Sequence, residues 1–99
     1  MRKHNFAFID IETSGLNLIQ HEIIEIGCVL TRPNLEVIEE FELKIKPEHI
    51  DTADPVSLKV NHYDPENWKS AYSLKEAIKI LLEKVRDCIM VGHNVAFDA

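Results

Sequence analysis

The stretch Phe6-Ala7-Phe8-Ile9-Asp10-Ile11-Glu12-Thr13-Ser14-Gly15-Leu16 decides how the rest of the chain is read. Its apolar residues continue without a break through the first positions, and in an extended strand side chains two apart share a face. Phe6, Phe8, Asp10 and Glu12 therefore stand on one side, Ala7, Ile9 and Ile11 on the other. Two carboxylates occupy places where core residues are expected. At the usual strand rise their Cα atoms lie ~6.6 Å apart, so both side chains can reach one hard cation or bracket two. Without a cation the pair repels itself, and one member holds a proton. An ordinary edge strand whose acids run into solvent at the Thr13-Ser14-Gly15 turn carries the same residues, and Asp-x-Glu alone does not separate the two readings.

Outward from this stretch, Ile23-Ile24-Glu25-Ile26-Gly27-Cys28-Val29-Leu30 reads as a second strand, apolar at every even position. Glu25 is its exception, expected to accept backbone hydrogen bonds, for instance from Thr13-Ser14-Gly15, rather than to ligate a metal. Thr31-Arg32-Pro33-Asn34 is turn chemistry, with Asn34 in the tight position, and implies a hairpin. In the third strand Val37, Phe41, Leu43 and Ile45 alternate with Glu40, Glu42, Lys44 and Lys46, charges that suit a sheet edge.

From Pro47 to Ala71 the pattern loosens into a covering loop, with Val56, Leu58, Val60, Tyr63 and Trp68 as apolar anchors. Trp68 is expected to pack rather than to stack on a base. Asp54-Pro55 and Asp64-Pro65 each place a capping acid before a proline and open a short helical turn. Ser73-Leu74-Lys75-Glu76 is a capping box that starts a helix over 74–87. Leu74, Ile78, Leu81, Leu82 and Val85 form its apolar stripe, while Lys75, Lys79, Glu83 and Lys84 face solvent. Ile89-Met90-Val91 suits a buried parallel strand. Asn94 then caps a further helix that carries Asp98 one turn in.

The 99 residues allow one small domain with a limited core. At 45% hydrophobic and 28% charged, the composition is that of a soluble globular protein. No apolar run has the length of a membrane span and no signal-peptide segment follows Met1, so the expected compartment is the cytoplasm. Cys28 and Cys88 read as buried, reduced core thiols, and the five histidines form no i, i+4 metal pair. A net charge of −6 excludes a generally basic nucleic-acid binder. It leaves room for a protein that grips phosphates through metals held by acids.

Asp10-Ile11-Glu12-Thr13-Ser14-Gly15-Leu16, then Ile24-Glu25-Ile26-Gly27, then His93-Asn94-Val95-Ala96-Phe97-Asp98 together resemble the first two motifs of the DEDD (DnaQ-like) 3′→5′ exonucleases. That family includes the proofreading exonuclease of DNA polymerase III and ribonuclease T. The resemblance implies an α/β, ribonuclease H-like mixed sheet: an antiparallel three-stranded meander, then parallel strands, with helices on the sheet. It also implies two divalent ions, Mg²⁺ or Mn²⁺, held by acidic side chains, and release of nucleoside 5′-monophosphates from a 3′ end.

Carried onto this sequence, the resemblance makes Asp10, Glu12 and Asp98 the catalytic metal ligands. Asp10 bridges both ions, Glu12 holds the one on the nucleophile side, and Asp98 holds the other directly or through water. Thr13, Ser14, Gly15 and Leu16 line the 3′-terminal nucleotide, and His93, Asn94 and Phe97 flank the substrate strand; core packing is the other reading of Phe97. The implied partner is a single-stranded or frayed 3′ end of DNA or RNA, with a polymerase or self-association besides. The third family motif lies past Ala99, so residues 1–99 are expected to be the N-terminal part of one exonuclease domain, inactive alone. A non-catalytic binding module on the same scaffold is the alternative, marked by indifference to EDTA. A nucleophile-dependent transferase finds no Ser-His or Cys-His arrangement to support it.

Overall fold

Alternating apolar and polar side chains build three strands, β1 (Phe6–Thr13), β2 (Ile23–Thr31) and β3 (Val37–Lys44), paired as an antiparallel meander. A fourth strand, β4 (Ile89–Gly92), lies parallel to β1, and the sheet order is β3-β2-β1-β4. The structure is a computed structural model that describes residues 3–15, 17 and 21–92.

Register determines what is buried. Ile9 lies opposite Cys28, Ile11 opposite Ile26, and Ile26 opposite Leu43, so one face of the sheet is apolar throughout. The helix α2 (Leu74–Lys84) covers that face with Ala77, Leu81 and Val85, which join Ala7, Ile9, Ile26, Cys28, Leu30, Leu43 and Ile45 in one core. Burying each larger member contributes roughly 1.5–3 kcal/mol. The capping box forms as expected: the Ser73 side chain accepts from the Glu76 N–H while the Glu76 carboxylate accepts from the Ser73 N–H.

The helix is shorter than its spacing suggests, capped at Val85, and Asp87 turns the chain with φ 62°. Its apolar stripe also differs. Leu74 and Leu82 are 49% and 59% exposed, because Ala77, Leu81 and Val85 take the inward row and Leu74, Ile78 and Leu82 fall about 100° round the helix. Lys84 does not simply face solvent: its Nζ lies 2.7 Å from the Glu39 carboxylate and 5.6 Å from the Phe41 ring centre.

β4 is parallel as expected but not buried. It is the sheet edge, Ile89 and Met90 are about half exposed, and among the described residues nothing packs beyond it. Val37 is exposed as well, since the register shift between Leu30 and Thr31 gives β3 an extra residue at the hairpin end. The left-handed position of that hairpin is Leu35, φ 71°, rather than Asn34, whose Oδ1 accepts from the Glu36 N–H.

Between β3 and α2, a 3₁₀ turn (Ile50–Thr52) leads into α1 (Pro55–Val60), opened by the Asp54 cap with Pro55 in its first turn. Asp64-Pro65 likewise opens a turn, closed by Trp68 N–H to Asp64 C=O at 3.0 Å. Trp68 is the true anchor, 4% exposed, with its Nε1 donating to the Ile24 carbonyl at 2.9 Å and its ring 5.0 Å from that of Tyr63. Val56 and Val60, one turn apart, face outward instead. Cys28 is buried and Cys88 only partly so, and both are free thiols. Burial above all, with Cys88 and Glu39 nearby, pushes the Cys28 thiol up.

Candidate active site

Asp10 and Glu12 stand on the sheet face opposite α2. Across β2, Asp10 faces Gly27 and Glu12 faces Glu25. With no side chain at Gly27, Asp10 borders an open groove of about 660 Å³, lined also by Phe8, Val29, Glu42 and Val91. A register shift follows Glu12: Thr13 pairs with Ile23, and the bypassed Ile24 offers its carbonyl to Ile45 and Trp68. The strand thus changes course directly after its second acid.

The two acids interact as their spacing requires. Burial first, then the Asp10 and Glu25 carboxylates and a hydrogen bond with Asp10, raise Glu12 above its ordinary value. A pair of adjacent hard oxygen donors that repel one another fits a divalent cation.

Glu25 differs from its sequence reading. Its carboxylate is bound by the Lys44 Nζ at 2.9 Å, not by the Thr13–Gly15 backbone. Lys44 comes into reach because it is the register partner of Glu25 on β3. Its ammonium lies 3.7 Å from Glu42 and 4.9 Å from the Trp68 ring centre. The Glu25 hydrogen bond holds Lys44 above the usual lysine range, against the opposing effect of burial.

Thr13 and Ser14 are buried, and their side chains work within the loop. Thr13 Oγ1 donates to the Gly15 carbonyl at 2.6 Å, and Ser14 Oγ accepts from the Glu22 N–H at 2.9 Å. Both ends of α1 grip the same loop: the Asp54 N–H donates to the Ser14 carbonyl at 2.7 Å, and Asn61 Nδ2 to the Thr13 carbonyl at 2.9 Å. A Cβ on Gly15 would run into the His21 imidazole. Leu16, His93, Asn94, Phe97 and Asp98 lie outside the described residues.

Sequence reading missed Lys44, Asn61 and Glu22. The Glu22 carboxylate accepts from the Glu48 and His49 N–H groups at 3.0 and 2.9 Å, tying β2 to the segment after β3. Glu22, Glu48 and His49 bring possible ligand atoms within 4.8 Å of one another, a second acidic group with its centre already engaged in backbone bonds.

A family model described as Exonuclease, with ribonuclease T as its namesake, matches residues 7–99. The chain belongs to that exonuclease family. Its relatives place it among the DEDD 3′→5′ exonucleases. A DNA polymerase III PolC-type from Caldanaerobacter subterraneus subsp. tengcongensis is 34% identical over 94% of this chain and 6% of the relative. A 3′-5′ exonuclease DinG from Staphylococcus epidermidis is 30% identical over 94% and 10%. A ribonuclease T from Shewanella sp. is 30% identical over 97% and 52%. The chain therefore spans about half of a ribonuclease T and a small part of the others.

Among solved structures, exonuclease I from Methylocaldum szegediense has a TM-score of 0.78 at 20% identity, over 93% of this chain and 21% of that one. A product-bound exonuclease I has a TM-score of 0.74 at 18% identity, over 95% and 23%. These likenesses establish the ribonuclease H-like fold. Among the described residues no helix is long and apolar enough to cross a membrane.

Proposed function

We propose that residues 1–99 form the N-terminal part of an exonuclease domain that shortens DNA or RNA from the 3′ end, in the cytoplasm, releasing nucleoside 5′-monophosphates. One observation carries the reading: Asp10 and Glu12 stand side by side on one face of β1, Asp10 at the border of an open groove and Glu12 raised by burial and then by the neighbouring Asp10 and Glu25 carboxylates. Family membership over residues 7–99 supports it. In this reading Asp10, Glu12 and Asp98 hold two divalent ions, Mg²⁺ or Mn²⁺. When bound, such ions lower the pKa of a water and offset charge on the leaving oxygen.

The chain's own part is positioning. Thr13, Ser14 and Gly15, locked by α1 and Glu22, give the 3′-terminal nucleotide a fixed backbone surface, with Leu16 beside it. His93, Asn94 and Phe97 flank the strand being degraded. The PolC-type relatives make a polymerase the first partner to test; the exposed Ile89 and Met90 edge makes self-association the second.

The test is a 5′-labelled single-stranded oligonucleotide incubated with the whole protein and Mg²⁺. Shortening from the 3′ end that EDTA and Asp10→Asn both abolish is the expected result. Cleavage indifferent to either would overturn the reading, and EDTA-insensitive binding of the 3′ end without cleavage would establish the binding module instead.

A further inference from the structure

We propose that Lys44 decides which acids of the site are open to a cation: it holds Glu25 out of the metal's reach and leaves Asp10 and Glu12 as the binding pair. The inference rests on the metal-binding reading above. Glu25 shares the face of Asp10 and Glu12 and lies directly across from Glu12. Opposed residues of neighbouring strands bring their Cβ atoms within ~4.5–5.5 Å, close enough for their carboxylates to share one ion. Three acids thus compete for the same space.

Lys44 divides them. Among the described strand residues of that face it is the sole cation, and its Nζ lies 2.9 Å from Glu25 Oε2. Glu42 at 3.7 Å and the Trp68 ring at 4.9 Å hold the ammonium from two further sides. Trp68 is itself fixed by its bond to the Ile24 carbonyl. The ammonium is a permanent internal counter-ion, placed by β-sheet register and by a buried indole. The Asp10–Glu12 carboxylate pair and a neutral Lys44–Glu25 pair lie side by side, and only the first attracts a divalent ion.

The test is Mn²⁺ affinity, measured by calorimetry or by electron paramagnetic resonance on the whole protein, with far-UV circular dichroism to confirm folding. Lys44→Met frees Glu25 and is expected to tighten Mn²⁺ binding about tenfold, the effect of one added unit charge beside a divalent ion near the surface. Lys44→Met with Glu25→Gln removes a neutral pair and is expected to restore the parent affinity within about twofold. Lys44→Arg keeps the charge and the parent affinity.

Unchanged or weaker binding by folded Lys44→Met overturns the proposal. So does a double variant that binds several-fold more weakly than the parent, since Glu25 would then already be a ligand. The double variant leaves no unpaired charge at position 25 and decides the matter if the single variant does not fold. Mn²⁺ binding that Asp10→Asn leaves intact removes the metal-binding reading and this proposal together. Binding that depends on Asp10 but not on Lys44 removes only this one.

Discussion

Glu12→Gln keeps the shape of the side chain and deletes one of three crowded charges, which makes it a test of the site that needs no substrate. The parent Glu12 faces Asp10 along the strand and Glu25 across it, the latter offset by Lys44. In nearly aqueous surroundings a unit charge pair at 4 Å is worth about 1 kcal/mol, and Asp10 is near enough to share a hydrogen bond with Glu12. The variant is therefore expected to be about 1 kcal/mol more stable than the parent at pH 7 in chelator. The sign with pH follows from the raised value of Glu12. Below the ordinary value of 4.5 the carboxyl is protonated in both folded and unfolded chains and costs nothing. As pH rises through 4.5 and then through the raised folded value, the unfolded chain loses its proton first and the parent loses stability. The advantage of Glu12→Gln should accordingly be largely gone by about pH 4. Divalent metal should reverse the order at pH 7: at a hundred times its dissociation constant it adds about 2.7 kcal/mol to a protein that binds it only when folded. Urea midpoints at pH 7 and pH 4, in chelator and in Mn²⁺, measure all of this. A variant less stable than the parent at pH 7 in chelator, or a gain undiminished at pH 4, would refute the charge-crowding account.

Trp68→Phe loses the hydrogen bond to the Ile24 carbonyl, which retains the Ile45 N–H at 2.8 Å, and should cost about 1 kcal/mol in a urea titration followed by circular dichroism. Trp68→Ala should cost about 3–5 kcal/mol; a loss below 1 kcal/mol would contradict its role as an anchor. Leu35→Gly, at an exposed position with φ 71°, should raise the thermal midpoint by a few degrees, since the left-handed conformation costs a leucine about 1–2 kcal/mol and glycine almost nothing. A lowered midpoint would speak against that backbone assignment.

What the sequence reveals divides by the range of the interaction. The alternation in β1 and β2, the Asp54-Pro55 cap and the Ser73–Glu76 box depend on residues a few positions apart, and all form. Asp10 and Glu12 belong to the same class, because a period of two suffices to put them together. The Lys44–Glu25 pair spans 19 positions and depends on the β2–β3 register, which the sequence does not state. Asn61 reaches Thr13 across 48 positions. On α2 the apolar residues cover more arc than one face can bury, and the small Ala77 marks the inward row better than Leu74 or Leu82. Ile89-Met90-Val91 looks buried because apolar runs usually are, yet its place at the sheet edge is a property of topology.

The first half of β1 is clamped from two sides. Phe6 to Ile9 have ladder partners on both sides, β2 and β4. Amide hydrogen exchange should therefore be slow over the first half of the strand. The acids project from the end of a stiff beam whose root is clamped between two neighbours. The clamped root keeps the two carboxylates from drifting apart.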